Sequence, residues 1–124
     1  MKTSDLFVKC LENEGIEYIF GVPGEENADF LMSLHESKKI KFILTRHEQG
    51  AAFMAESYGK LTGKLSCCLS TLGPGATNLL TGVADANMDH SPVLVITGQG
   101  SSDRLHKESH QIMDVCHMFK SVTK

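Results

Sequence analysis

Glu48 is the residue of this chain best placed for proton chemistry. It stands within "ILTRHEQGAAFMAESYGKLTG", residues 43–63, at the seam between a short apolar strand and a helix rich in alanine and glycine. At about 100° per residue, Ala51, Ala52, Ala55, Gly59 and Thr62 fall within about 60° of it. Gln49, Glu56, Ser57 and Lys60 fall on the other side. Glu48 therefore opens a smooth helix face that suits close approach of another helix or subunit. A carboxyl group in such an apolar setting is favoured in its neutral form and can donate a hydrogen bond. An acid at a helix N-terminus is also favoured by the dipole while remaining wet. Spacing alone leaves both readings open.

Other motifs narrow the chemistry by failing. "GPGATN" (73–78) begins like G-x-G-x-x-G, but Asn78 stands where the third glycine belongs, and the next strand ends in Thr97 rather than an acid. No G-x-x-x-x-G-K-[ST] occurs, which excludes a P-loop, and no G-x-S-x-G elbow supports a serine nucleophile. His106 and His110 stand four apart, yet without H-E-x-x-H in a polar segment they read as solvated histidines. No metal site is expected in the chain.

The elements that must carry Glu48 follow from apolar runs and their punctuation. "TSDLFVKCLENEG" predicts an amphipathic helix capped by Thr3 or Ser4 and ended by Gly15. Strands are predicted at 18–20, 41–45, 65–71 and 92–97, and helices at 25–37 and 48–62. A turn and helix are expected over "GPGATNLLTGVADANMD", and a short helix around "HQIMDVCHMF". Short apolar strands alternating with helices define an α/β fold, a parallel sheet flanked by helices on both faces. In such sheets ligands sit beyond the carboxyl ends of the strands. Those ends here lead into "GVPGEEN", "RHEQG", "LGPGATN" and "GQGSSD". Three are rich in glycine, which lets backbone approach a ligand closely, and the fourth carries Glu48.

The chain's 124 residues suffice for one domain, 1–124, with one modest core. A net charge of -3 with scattered lysines and arginines leaves no phosphate-tracking face, so no nucleic-acid partner is expected. No apolar run approaches the ~20 residues of a membrane helix, and "MKTSDLF" lacks a signal-peptide core. The expected compartment is the cytoplasm, with no membrane partner. Cys10, Cys67, Cys68 and Cys116 form no C-x-x-C pair and read as reduced thiols, the adjacent pair buried in a strand.

Five segments, "FGVPGEEN", "RHEQGAAFMAESYGKLTG", "STLGPGATN", "SPVLVITGQ" and "HQIMDV", occur in an order and spacing that resemble thiamine-diphosphate enzymes. The nearest resemblance is to the large catalytic subunit of acetolactate synthase, and it runs along the whole chain. It implies the N-terminal pyrimidine-binding domain, again a parallel sheet between helices. In that family the glutamate of the "RHE" motif hydrogen-bonds N1′ of the cofactor's aminopyrimidine. It favours the imino tautomer that removes the thiazolium C2 proton, and the activated cofactor then attacks a 2-oxo acid such as pyruvate. Carried over, Glu48 is the activating acid, meeting a cofactor held by another subunit of a homodimer or homotetramer.

Further roles rest on the same resemblance. Val22, Pro23, Pro74 and Asn78 would line the pyrimidine pocket, and Gln111 would reach the active site as a second catalytic residue. Pro74 and Gly75 are also good turn chemistry without a ligand, and Asn78 could serve as a cap. Glu25, Glu26, His110, Ser101 and Ser102 depart from the common pattern and put the 2-oxo acid in doubt. The family binds diphosphate and Mg2+ through a C-terminal domain with a G-D-G…N motif absent from this sequence, and some members bind FAD in a middle domain. The implied state is half of a composite site, inactive alone, within a longer enzyme. A related 2-oxo-acid decarboxylase and a non-catalytic association module are the alternatives.

Overall fold

The computed structural model describes residues 1–105 and 107–124, so the pairing of His106 with His110 lies outside the described residues. Helix α1 (Thr3–Asn13) precedes strand β1 (Tyr18–Gly21), a 3-10 turn at Glu25–Asn27 and helix α2 (Ala28–His35). Strand β2 (Lys41–Leu44), helix α3 (Glu48–Thr62), strand β3 (Ser66–Ser70), helix α4 (Pro74–Met88) and strand β4 (Val93–Thr97) follow. A second 3-10 turn, Ser102–Arg104, and a short helix α5 (Val115–Phe119) complete the described elements.

The four strands form one parallel sheet in the order β2-β1-β3-β4. From β1 the chain steps outward to β2, then returns past β1 to β3. That reversal carries the helices to opposite faces, because crossovers between parallel strands keep one hand. Side chains along the strands divide accordingly. Ile19, Cys67 and Leu69 join Val8, Leu11, Phe30 and Leu34 beneath α1 and α2. Cys68 joins Ala51, Ala55, Ala76, Leu79 and Val83 beneath α3 and α4. The expected α/β architecture with helices on both faces is therefore present.

Two helix starts in the N-terminal half differ from the expectation. The helix read from 25 to 37 begins as an α-helix only at Ala28, because the preceding three residues close a tighter turn. Helix α1 starts at Thr3 itself, and neither Thr3 nor Ser4 caps it. Instead the Asp5 carboxylate accepts the Lys2 backbone N–H at 2.7 Å.

The smooth face of α3 is also not free for a second subunit. Ala51, Ala52 and Ala55 are almost fully buried, and α4 of the same chain lies against them. A Cβ at Gly82 would come within 2.6 Å of Ala52 Cβ and 3.0 Å of the Phe53 backbone nitrogen. Small residues occur on both helices because the backbones approach this closely. Alanine normally stabilises a helix by up to about 1 kcal/mol over glycine, but a clash against backbone costs about 1–3 kcal/mol. Gly82→Ala is expected to lower stability by about 1–2 kcal/mol in a urea titration. Gly50→Ala on α3, where a Cβ meets nothing within 4 Å, is expected to raise it by up to about 1 kcal/mol.

Glu56, read from spacing as a polar-face residue, is 3% exposed. Lys60 makes the burial tolerable: its Nζ lies 2.6 Å from Glu56 Oε1 and also pairs with Asp89 at the end of α4. Asp89 and Glu56, in that order, hold the Lys60 ammonium charged well above its ordinary range.

All four cysteines are free thiols. Burial pushes the Cys68 thiol up to about 12 and raises Cys67 as well. Iodoacetamide at pH 8 is therefore expected to modify the exposed Cys10 and Cys116 and spare Cys67 and Cys68, read by peptide mass spectrometry.

Candidate active site

The carboxyl ends of β1 and β3, where the strand order reverses, are the place such a sheet offers a ligand. Glu48 arrives there as the first residue of α3. The helix is capped by His47, whose Nδ1 accepts the Gln49 backbone N–H at 3.2 Å. Thr45 Oγ1 donates to the His47 carbonyl at 3.1 Å, and the Thr45 backbone N–H is tied to the Gly21 carbonyl at 2.9 Å. The strand-to-helix turn is thus fixed to the end of β1, and Glu48 is directed inward.

Glu48 is 9% exposed, so the reading of a wet helix-end acid fails. Its Oε2 accepts a hydrogen bond from Asn78 Nδ2 at 3.0 Å. Oε1 has no hydrogen-bond partner among the described residues, and it faces Gly75 in the first turn of α4. A Cβ at Gly75 would lie 3.3 Å from Oε1, so the glycine leaves the space in front of that oxygen open. The arrangement is a buried carboxyl group with one oxygen engaged and one available, flanked by a helix N-terminus.

The remaining site candidates divide. Pro74 is the first residue of α4, next to Gly75. Gln111 has φ 54°, uncommon for a residue with a side chain. Its backbone packs over Gly73, where a Cβ would collide with the Gln111 carbonyl. This brings Gln111 to the turn that launches Pro74, Gly75 and Asn78, with its own side chain exposed. The Val22 backbone N–H bonds the Leu69 carbonyl at 3.3 Å, at the strand ends. Pro23 instead lines a shallow groove on the α2 face with Leu31, Leu34, Phe42 and Leu44. No hydrogen bond joins Val22 or Pro23 to Glu48 among the described residues.

A hollow of about 930 Å³ along β4 and α5 is lined by neither Glu48 nor Asn78. In the acidic trio Glu56, Asp85 and Asp89, the Lys60 ammonium already pairs with Glu56 and Asp89. No described helix is long and apolar enough to cross a membrane.

Fold and site together define a parallel α/β domain that presents a buried acid at the point where its strand order reverses. Residues 1–118 match the model of the thiamine pyrophosphate enzyme N-terminal TPP binding domain, and the chain belongs to that family. It is 42% identical over 124 residues to a probable acetolactate synthase large subunit of Methanocaldococcus jannaschii, covering 100% of this chain and 21% of that protein. It is 39% identical over 123 residues to the chloroplastic acetolactate synthase of Arabidopsis thaliana, covering 99% and 18%. It is 42% identical over 117 residues to an acetolactate synthase of Mycobacterium avium, covering 94% and 19%. The chain spans about a fifth of the length of these relatives.

Proposed function

We propose that this chain contributes the activating half of a thiamine-diphosphate site in a 2-oxo-acid carboligase of the acetolactate synthase type, joining two pyruvates with loss of carbon dioxide. The observation that carries the proposal is the Glu48 carboxyl group, buried, with Oε2 held by Asn78 and Oε1 open above Gly75. This donor set fits an aminopyrimidine ring nitrogen, which needs one carboxyl oxygen within reach and no side chain between.

When bound, thiamine diphosphate supplies the electron sink that lets a 2-oxo acid lose carbon dioxide. The chain's part is proton chemistry and position. Glu48 Oε1 would hold the proton shared with the pyrimidine nitrogen, and Asn78, by engaging Oε2, would leave Oε1 as the oxygen free to do so. Gly75 keeps that approach clear, and the burial of Glu48 excludes the water that would compete for the proton. Val22 and Pro74, at the strand ends, would wall the ring and the Gln111 side chain would reach the substrate side, whereas Pro23, turned to the α2 face, would meet the ring only if its loop moved.

Diphosphate and Mg2+ are assigned to residues outside this chain. The site is assigned to an interface between subunits of a homodimer or homotetramer. The support is that no described residue bonds Oε1, not the smooth face of α3, which α4 fills. Free thiols at all four cysteines support the cytoplasm as its compartment.

The test is the native protein with pyruvate, thiamine diphosphate and Mg2+, following pyruvate loss and acetolactate formation together. Acetolactate at half the molar amount of pyruvate consumed is the expected result. Pyruvate consumed without acetolactate makes the protein a decarboxylase. No consumption at all transfers the site, with Glu25 and Glu26, to another 2-oxo acid. The 124 residues alone are expected to turn over nothing.

A further inference from the structure

Asn27 stands in the turn after β1 and is 7% exposed, a depth at which an amide must satisfy its polar atoms. It satisfies both ends. Oδ1 accepts the Gly24 backbone N–H at 3.0 Å, and Nδ2 donates to the Ser70 carbonyl at 3.0 Å. That carbonyl also accepts the Gly98 backbone N–H at 2.9 Å, so the turns after β1, β3 and β4 meet on one oxygen.

Thr71, next in the chain, donates its hydroxyl to Glu26 Oε2 at 2.8 Å and packs against Gly24, where a Cβ would collide with it. On its other side the Thr71 methyl lies 3.0 Å from the position a Gly75 Cβ would take, the same position that is 3.3 Å from Glu48 Oε1. A run of neighbours leads from Asn27 through Ser70 and Thr71 to Gly75, which lies beside the open oxygen of Glu48.

We propose that Asn27 is a positioning residue: by tying the β1 turn to the end of β3, it sets the β3–α4 turn so that Gly75 and Asn78 leave Glu48 Oε1 open and aimed. The proposal rests on the reading of Glu48 as the activating acid. Asn27 touches neither Glu48 nor the space in front of it; it acts through the turn. The discriminating substitution is Asn27→Asp, which matches the side chain's size and can still accept from Gly24. It places an oxygen against the Ser70 carbonyl where a donor stood.

The experiment is a double-mutant cycle in the native protein, with Asn27→Asp, Glu48→Gln and both together. Far-ultraviolet circular dichroism confirms folding, and amide exchange of the 71–80 peptide is read in the cofactor-free protein. Misaiming a reacting group costs a decade or more, so Asn27→Asp alone is expected to lower kcat about tenfold. Because Asn27 acts through Glu48, the same change in the Glu48→Gln background is expected to cost less than about twofold. Exchange over 71–80 is expected to quicken about tenfold as the turn loosens.

Equal losses in both backgrounds, or unchanged exchange over 71–80, overturn the proposal. If Glu48→Gln itself costs nothing, the reading of Glu48 has failed, and the exchange measurement still decides whether Asn27 sets the turn. If Asn27→Asp does not fold, Asn27→Ser, which keeps a small hydroxyl in the turn, goes through the same cycle. Failure of both to fold assigns Asn27 to folding alone and overturns the proposal.

Discussion

Glu48→Gln is expected to lower kcat of the native protein by about 10²-fold or more with pyruvate, the loss that removal of a positioned proton-transfer group produces. The substitution isolates the proton. Glutamine has the same length, and its carbonyl oxygen can keep the 3.0 Å bond from Asn78 that now ends on Oε2. The amide nitrogen then occupies the place of Oε1 above Gly75, where it can donate but cannot exchange a proton. Folding should be nearly untouched, so thermal midpoints of the two proteins should agree within a few degrees. A rate loss accompanied by a large drop in midpoint would instead mean that the carboxylate is chiefly structural.

Leu79→Ala is expected to be the most damaging single truncation for stability, about 3–5 kcal/mol in a urea titration, within the range seen for buried leucines. Leu79 is fully buried on the inner face of α4, immediately after Asn78. Its neighbours in the core beneath α3 and α4 include Ala51, Ala52, Ala55 and Ala76. Alanines have no side chain to swing into the vacated volume, so the cavity stays and the cost lies toward the upper end. Leu61→Ala on α3 is the control: at 87% exposure it should change stability by no more than about 0.5 kcal/mol. Because Leu79 seats the turn of α4 that carries Asn78, the variant should also lose activity before it unfolds.

The strands and long helices were legible because their signals are local. Runs such as "KFIL" and "VLVIT" between turn residues leave few alternatives, and α3 runs from 48 to 62 as its pattern predicts. Glu48 was legible as an unusual acid, since charge at the edge of an alanine-rich face is conspicuous. What its face packs against was not. Small residues announce close approach without naming the partner, and the partner proved to be α4 of the same chain.

Glu56 was misread for a related reason. Spacing placed it away from the core, but its burial depends on Lys60 and on Asp89 from another helix. Asn27 carried no local signal, because the carbonyl it holds is 43 residues away. The C-terminal helix is shorter than its apolar pattern suggested. Gln111 takes a left-handed conformation, and Asp114 caps the helix only from there, its Oδ1 accepting the His117 N–H at 2.9 Å.

The most direct measurement of the central claim is the nitrogen resonance of thiamine diphosphate labelled with 15N at N1′, bound to the native protein and to Glu48→Gln. If Glu48 Oε1 shares its proton with N1′, the bound resonance moves from its free position in the wild type and returns toward it in the variant. Identical bound resonances in the two proteins would contradict the account, because they would place the proton of the aminopyrimidine out of the reach of Glu48.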